Sequence, residues 1–66
     1  MKIEIRIKEI RKIKNITLKQ LSKKSGISTT HINDIENNVK SPSLIVMVIL
    51  AKELNVNITE LYKVYF

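Results

Sequence analysis

The chain has 66 residues, no cysteine and one histidine, so a disulfide framework and a zinc cluster are both excluded. This length suffices for one domain, residues 1–66. The formal net charge of +6 favours a polyanionic partner, although a lysine-rich surface that only maintains solubility would carry the same charge.

The two ends of the chain have the composition of strands. Residues 2–7 alternate charged side chains with isoleucine, and this period of two is typical of a β-strand. Residues 61–66 are also rich in residues that favour strands. We expect either a short two-stranded pairing of the ends, or ends that fray or extend the neighbouring helices.

Two short helices are predicted next. Ile7, Ile10 and Ile13 recur at helical spacing and predict a first helix of about two turns. Asn15 then suits a left-handed position after that helix. The second helix is predicted to begin at a capping box, residues 17–20 of sequence T-x-x-Q, and to end at Gly26.

The remaining helices are predicted from their caps. Ser28 suits the N-cap of a third helix, which either Asn37 or Asn38 would close in a left-handed conformation. Residues 41–43 (Ser-Pro-Ser) predict a break before a fourth helix at about 43–55. Residues 57–60 form another capping-box pattern, which opens a short fifth helix through Tyr62. We therefore predict an all-α domain of five short helices.

The second and third helices have the features of a helix-turn-helix. Two helices that cross steeply need a small residue at their approach and a residue that can turn sharply between them. Ser22 and Gly26 meet these two needs. The side chains expected to close the core between the helices are Leu21, Ile27, Ile32 and Ile35.

On these residues the chain resembles the Cro and phage-repressor helix-turn-helix family, also called XRE-type, over about residues 6–62. The resemblance rests on Ile7-Lys-Glu-Ile-Arg11, Leu21-Ser22, Gly26-Ile27-Ser28, Ile32-x-x-Ile35-Glu36-Asn37, Pro42-Ser43-Leu44 and Leu54-Asn-Val56. It implies a compact lambda-repressor-like domain that places its third helix in the major groove of double-stranded DNA.

Three positions depart from the family pattern. Leu18 stands where relatives usually have a glutamine that binds a phosphate, which implies weaker anchoring to the DNA backbone. Ser25 replaces a more apolar residue, so we expect a slightly looser turn. Asn38 replaces the glycine that usually follows the third helix, which is a mild substitution.

The resemblance also suggests an ion pair between Arg11 and Glu36, tying the first helix to the end of the third. The alternative is two separate, solvated charges. An exposed pair would contribute only about 0–1 kcal/mol to stability.

By resemblance, the residues that read bases lie on the outer face of the third helix: Ser28, Thr29, Thr30, Asn33 and Asp34. Threonine methyls can contact thymine, and an asparagine can bind adenine or, alternatively, a phosphate. Asp34 could accept a hydrogen bond from cytosine, or be a solvated residue near Lys40. Because no arginine lies on this face, we expect DNA shape to contribute substantially to recognition.

The candidate phosphate contacts are Thr17, Lys19, Lys23, Asn37 and Lys40. Each lysine taken alone is equally typical of a solvated surface. His31 lies on the third helix without a carboxylate partner in the motif, and we interpret it as a surface side chain rather than a ligand or a catalytic residue.

The fourth helix carries more apolar residues than a monomer needs. One stripe, assigned to the core, consists of Leu44, Met47, Leu50, Ala51 and Leu54. A second stripe and the C-terminal aromatic residues are candidates for a homodimer interface: Ile45, Val48, Ile49, Tyr62, Tyr65 and Phe66. The alternative is that the second stripe completes a small core against the chain ends.

The predicted function is a sequence-specific transcriptional regulator, in particular a repressor that binds a palindromic operator as a homodimer. We expect no enzymatic activity, cofactor, metal or small-molecule ligand. The longest apolar run, residues 44–51, is shorter than the roughly 20 residues that span a bilayer, and no secretory leader pattern is present, so we expect a cytoplasmic protein. Two alternatives are an antitoxin whose toxin docks on the apolar surface, and a protein-interaction module that has lost DNA affinity.

Overall fold

The computed structural model describes all 66 residues, in the order strand, four α-helices, 3₁₀ turn and strand. The elements are β1 (Lys2–Ile5), α1 (Ile7–Ile13), α2 (Leu18–Ser25), α3 (Thr29–Glu36), α4 (Leu44–Leu54), the 3₁₀ turn (Ile58–Leu61) and β2 (Tyr62–Tyr65). The predicted fifth helix is therefore present as a 3₁₀ turn, and the α-helices number four and not five. Its capping box forms as expected, but only four residues lie between the N-cap Asn57 and Tyr62, where the chain becomes extended.

Side chains cap the start of three helices, as the sequence predicts. Thr17 and Gln20 form both bonds of a capping box at the start of α2, at 3.1 and 2.9 Å. The hydroxyls of Ser28 and Ser43 accept hydrogen bonds from backbone N–H groups in the first turns of α3 and α4. These bonds satisfy amide groups that have no partner within the helix, and so fix where each helix begins.

Asparagine and glycine supply the left-handed residues that separate the helices. Asn15, Asn38 and Asn55 have φ between 57° and 60°, and Gly26 has φ of 76°. Asparagine tolerates this conformation better than most residues with a side chain, which explains why a chain with one glycine can make four sharp helix ends.

The two ends of the chain form an antiparallel pair of strands, with Lys2 opposite Tyr65 and Ile5 opposite Tyr62. One face of the pair is apolar, and there Ile5 and Tyr62 pack against the core. On the opposite face Glu4 accepts hydrogen bonds from Arg6 and Tyr65, which lower the pKa of its carboxyl group. The strand interpretation of the ends is thus confirmed, and the frayed or helical alternative is wrong.

The core is one cluster of nine buried side chains drawn from all four helices and the 3₁₀ turn: Ile7, Leu21, Ile32, Ile35, Met47, Leu50, Ala51, Leu54 and Leu61. The assignment of Leu44 to this core is wrong, because its side chain is 74% exposed. Leu44 lies in the first turn of α4, on an open groove that Ile3 and Val64 of the sheet also line. None of the four helices is long and apolar enough to cross a membrane.

Candidate nucleic-acid interface

Short hydrogen bonds hold the turn between α2 and α3. The backbone N–H of Gly26 donates to the carbonyl of Ser22, and the Ser22 hydroxyl donates to the carbonyl of Ile27 at 2.6 Å. The Ser25 hydroxyl accepts from the N–H of Ile27 at 3.1 Å. Ser25 therefore closes the turn rather than loosening it, contrary to our expectation. A Cβ at position 26 would meet no atom within 4 Å, so glycine is needed there for its positive φ and not for space.

Arg11 and Glu36 form the ion pair that the resemblance suggests. The guanidinium Nε and Nη2 donate to the two carboxylate oxygens at 2.9 and 3.2 Å. A third bond runs from Nη1 to the carbonyl of Ile16, at 3.1 Å. The two side chains are only 11% and 2% exposed, so this is a shielded pair, unlike the surface pair considered from the sequence. It ties α1 and the chain before α2 to the last residue of α3.

The outer face of α3 carries the predicted base-reading residues. Ser28, Thr29, Thr30 and Asn33 are all exposed, while Ile32 and Ile35 on the opposite face are fully buried. Asp34 is half-buried, and its carboxylate lies 4.0 Å from the ammonium group of Lys40. The helix is therefore anchored by its inner face and presents short polar side chains outward, which is the arrangement that groove reading requires.

The predicted phosphate contacts are also exposed, and they lie on both sides of α3 in the chain. Thr17, Lys19 and Lys23 belong to the start and outer face of α2, whereas Asn37 and Lys40 follow α3. The backbone carbonyl of Asp34 accepts from the N–H groups of Val39 and Lys40, which folds this segment back on the end of α3.

The absence of acidic residues from residue 10 to residue 33 is a signal that the residue-by-residue assignment missed. No Asp or Glu occurs between Glu9 and Asp34, although Arg11 and five lysines do. Arg11 is neutralised by Glu36, and the lysines are all exposed: Lys12, Lys14, Lys19, Lys23 and Lys24. The stretch of chain from the end of α1 to the start of α3 is therefore cationic throughout, although Lys14 donates to the carbonyl of Asn55 after α4. Counting charges along the sequence would have added Lys12, Lys14 and Lys24 to the candidates.

Leu18 is the first residue of α2, and it is half-buried against the core. A glutamine at this position would place a polar group where the leucine now packs. The departure from the family pattern thus exchanges a polar side chain for apolar packing at the start of α2.

The candidate dimer contacts fall into two groups. Ile45 and Val48 of α4 and the aromatic residues Tyr65 and Phe66 are exposed. Ile49 and Tyr62 are half-buried, and Tyr62 packs against the core. The exposed members leave apolar surface on α4 and at the end of β2 without a covering element in this chain.

Comparison with known proteins identifies the family to which this chain belongs. The helix-turn-helix family model matches residues 7–61, which excludes only residues 1–6 and 62–66. A control protein of Serratia marcescens, C.SmaI, is 33% identical over 55 residues, a match that covers 83% of this chain and 66% of that relative. In this chain, the buried inner side chains of α2 and α3, the glycine turn between them and the polar outer face of α3 agree with that match. The chain belongs to the XRE-type helix-turn-helix family of DNA-binding transcriptional regulators.

Proposed function

We propose that the chain is a sequence-specific repressor that binds a palindromic operator as a homodimer, with α3 in the major groove. It would act by occupying a promoter, in the compartment that holds the DNA, without catalysing a reaction. The name of the Serratia relative, a control protein, supports a regulatory role.

The observation that carries the proposal is the cationic stretch of chain, residues 10–33, that leads into α3 and forms its first half. Six basic residues and no carboxylate lie between Glu9 and Asp34, and only Arg11 among them is consumed by an internal ion pair. A phosphate backbone on both sides of the major groove would meet lysines from α2 and, beyond α3, Lys40. The polar outer face of α3 would then lie against base edges.

The first test is the salt dependence of binding to duplex DNA. If Lys19, Lys23 and Lys40 of each protomer neutralise one phosphate each, the log–log plot of affinity against salt should have a slope of about −5 for a dimer. The variant Lys23→Gln should reduce this slope by about 1 per bound protomer, because one counterion fewer is released. Fluorescence anisotropy at several salt concentrations measures both quantities.

The control for this experiment is Lys63→Gln, which removes an exposed lysine from the sheet, where the ammonium group lies 5.2 Å from the Tyr65 ring. We expect this variant to have the slope of the unchanged protein. A flat salt dependence of the unchanged protein would contradict DNA binding and favour a protein-interaction module of the same fold. An antitoxin role would instead be indicated by a toxin that co-purifies with the chain.

The dimer is proposed from the apolar surface of α4. Ile45 and Val48 are three residues apart, so they share one face of the helix, and both are at least half exposed. A two-fold dimer across this face would bury them and would present two copies of α3 to half-sites about one helical turn apart.

Val48→Lys should therefore convert the protein to a monomer, because each two-fold contact would then bury two unpaired charges. We expect the same variant to lose its preference for palindromic over single half-site DNA. Sedimentation velocity at high micromolar concentration gives the oligomeric state. Ile13→Lys is the control, since Ile13 is also exposed (75%, against 50% for Val48) but lies at the end of α1. A monomeric unchanged protein, or a dimeric Val48→Lys variant, would refute this interface.

A further inference from the structure

Two asparagines on the outer face of α3 are joined to each other. Asn33 and Asn37 are four residues apart and both exposed, and the Nδ2 group of Asn37 donates to Oδ1 of Asn33 at 3.1 Å. The backbone N–H of Asn37 also donates to the carbonyl of Asn33, at 3.0 Å. The residue that ends the helix is thus bound twice to the same residue one turn earlier.

We infer that Asn37 is a positioning residue, which holds the carboxamide of Asn33 in the orientation that reads adenine. This inference rests on the proposed function, since it concerns how α3 recognises a base. It gives Asn37 a role different from the phosphate contact expected from the sequence.

The bond leaves Asn33 able to read a base. A carboxamide oxygen has two lone pairs, and Asn37 occupies one of them at Oδ1 of Asn33. The second lone pair can accept from the exocyclic amine of adenine, while Nδ2 of Asn33 donates to the adenine ring nitrogen N7. Asn33 makes no other side-chain hydrogen bond, so its amide group is available to DNA.

The bond also removes a source of ambiguity. The carboxamide of a free asparagine can rotate by about 180°, which exchanges the positions of its oxygen and nitrogen. The same base edge then meets either an acceptor or two donors. With Asn37 donating to Oδ1, the oxygen of Asn33 lies toward the end of α3 and the nitrogen lies away from it. Ordering the side chain before binding also lowers the entropy lost when the complex forms.

No neighbouring side chain competes for the hydrogen bond between Asn33 and Asn37. The carboxylate of Asp34 lies 4.0 Å from the ammonium group of Lys40 and makes no hydrogen bond with either amide. Asn38 turns the chain away immediately after the pair with φ of 60°, so Asn37 is the last residue that can act along this face.

The test is selection of bound sequences from a randomised duplex pool, followed by affinity measurements on the selected and on unrelated DNA. Asn33→Ala should abolish the preference for adenine at one position of each half-site, with a loss of about 5- to 150-fold in the ratio of specific to non-specific affinity. Asn37→Ala should weaken the same preference at the same position by about two- to tenfold, the worth of one hydrogen bond. Asn37→Gln retains the donor and should restore part of the preference.

Combining Asn33→Ala with Asn37→Ala distinguishes a positioning role of Asn37 from a direct contact of Asn37 with DNA. If Asn37 acts through Asn33, then Asn37→Ala should have no further effect on specificity in a chain that already carries Asn33→Ala. A phosphate contact would instead lower affinity for all sequences equally and leave the selected site unchanged, which would overturn the inference. Thermal unfolding of each variant checks that α3 is intact.

The outcomes distinguish the inference from the function on which it rests. An unchanged protein that selects no sequence overturns both. An unchanged protein that selects a site, together with an Asn37→Ala variant that selects the identical site with the identical specificity ratio, overturns only the positioning role.

Discussion

Substituting Arg11 by Met is expected to lower the free energy of unfolding by about 3–5 kcal/mol, because the carboxylate of Glu36 would be left buried without its partner. Only 2% of the Glu36 side chain is exposed, so water cannot replace the two hydrogen bonds that the guanidinium makes to it. A chain of this length has a total stability of about 3–10 kcal/mol, so the substitution should remove at least about a third of it. Urea denaturation followed by circular dichroism measures the change.

Two comparisons test the cause of this loss. Arg6→Met makes the same chemical change in the exposed pair with Glu4, and we expect it to leave the free energy of unfolding nearly unchanged. Replacing both partners, as Arg11→Met with Glu36→Leu, should recover most of the lost stability, since no buried charge then lacks a partner. The recovery should be incomplete because the bond to the Ile16 carbonyl is also lost. A double variant as unstable as the single one would show that packing, and not the uncompensated charge, is responsible.

Truncating Ile32 to Ala should cost about 2–5 kcal/mol of unfolding free energy, through lost apolar burial and the cavity left behind. Ile32 is fully buried, and it lies on the inner face of α3, directly opposite the outer polar residues. The truncation should therefore reduce DNA binding only by reducing the folded fraction. Chemical denaturation gives the stability, and anisotropy at low temperature gives the affinity of the folded protein.

Ile13→Ala is the matched control, because Ile13 is 75% exposed and the same methyl and methylene groups are removed without leaving a cavity. We expect its unfolding midpoint to be close to that of the unchanged protein. The contrary result is that Ile32→Ala lowers the binding free energy of the fully folded protein by as much as it lowers the free energy of unfolding. That result would contradict a purely structural role for the inner face of α3.

The helix-turn-helix was predictable because its local signals agree. The capping box at Thr17, the N-cap at Ser28 and the left-handed Gly26 each fix one boundary through contacts within a few residues. The apolar positions Leu21, Ile32 and Ile35 recur at helical spacing, and all three are fully buried. Such signals depend on local geometry, which a sequence displays directly.

Features that depend on distant partners were harder to predict. The strand character of residues 2–5 was visible, but the choice between pairing and fraying depended on a partner 57 or more residues away. Leu44 fits the apolar stripe of α4, and yet its side chain is 74% exposed because no other element covers it. Burial of the Arg11–Glu36 pair likewise depends on how α1 and α3 pack, which spacing along the chain does not reveal.

The candidate site was predicted as a set of residues but not as an arrangement. Exposure of Thr29, Thr30 and Asn33 follows from the position of the buried isoleucines. The bond between Asn33 and Asn37 could have been anticipated from their spacing of four, since such pairs face each other on a helix. The absence of carboxylates from residue 10 to residue 33 was also visible in the sequence, but it is apparent neither from the net charge of the whole chain nor from single residues.

The antiparallel pairing of β1 and β2 has a mechanical consequence. Because Lys2 lies opposite Tyr65, a pulling force applied to the two ends would act at the open end of the strand pair. Its hydrogen bonds would then break one after another, as in a zipper, and not all at once as in a sheared sheet. The load would reach α1 only after the bond between the N–H of Arg6 and the carbonyl of Leu61 had opened. The strand pair would thus separate under tension before the packing of the four helices was disturbed.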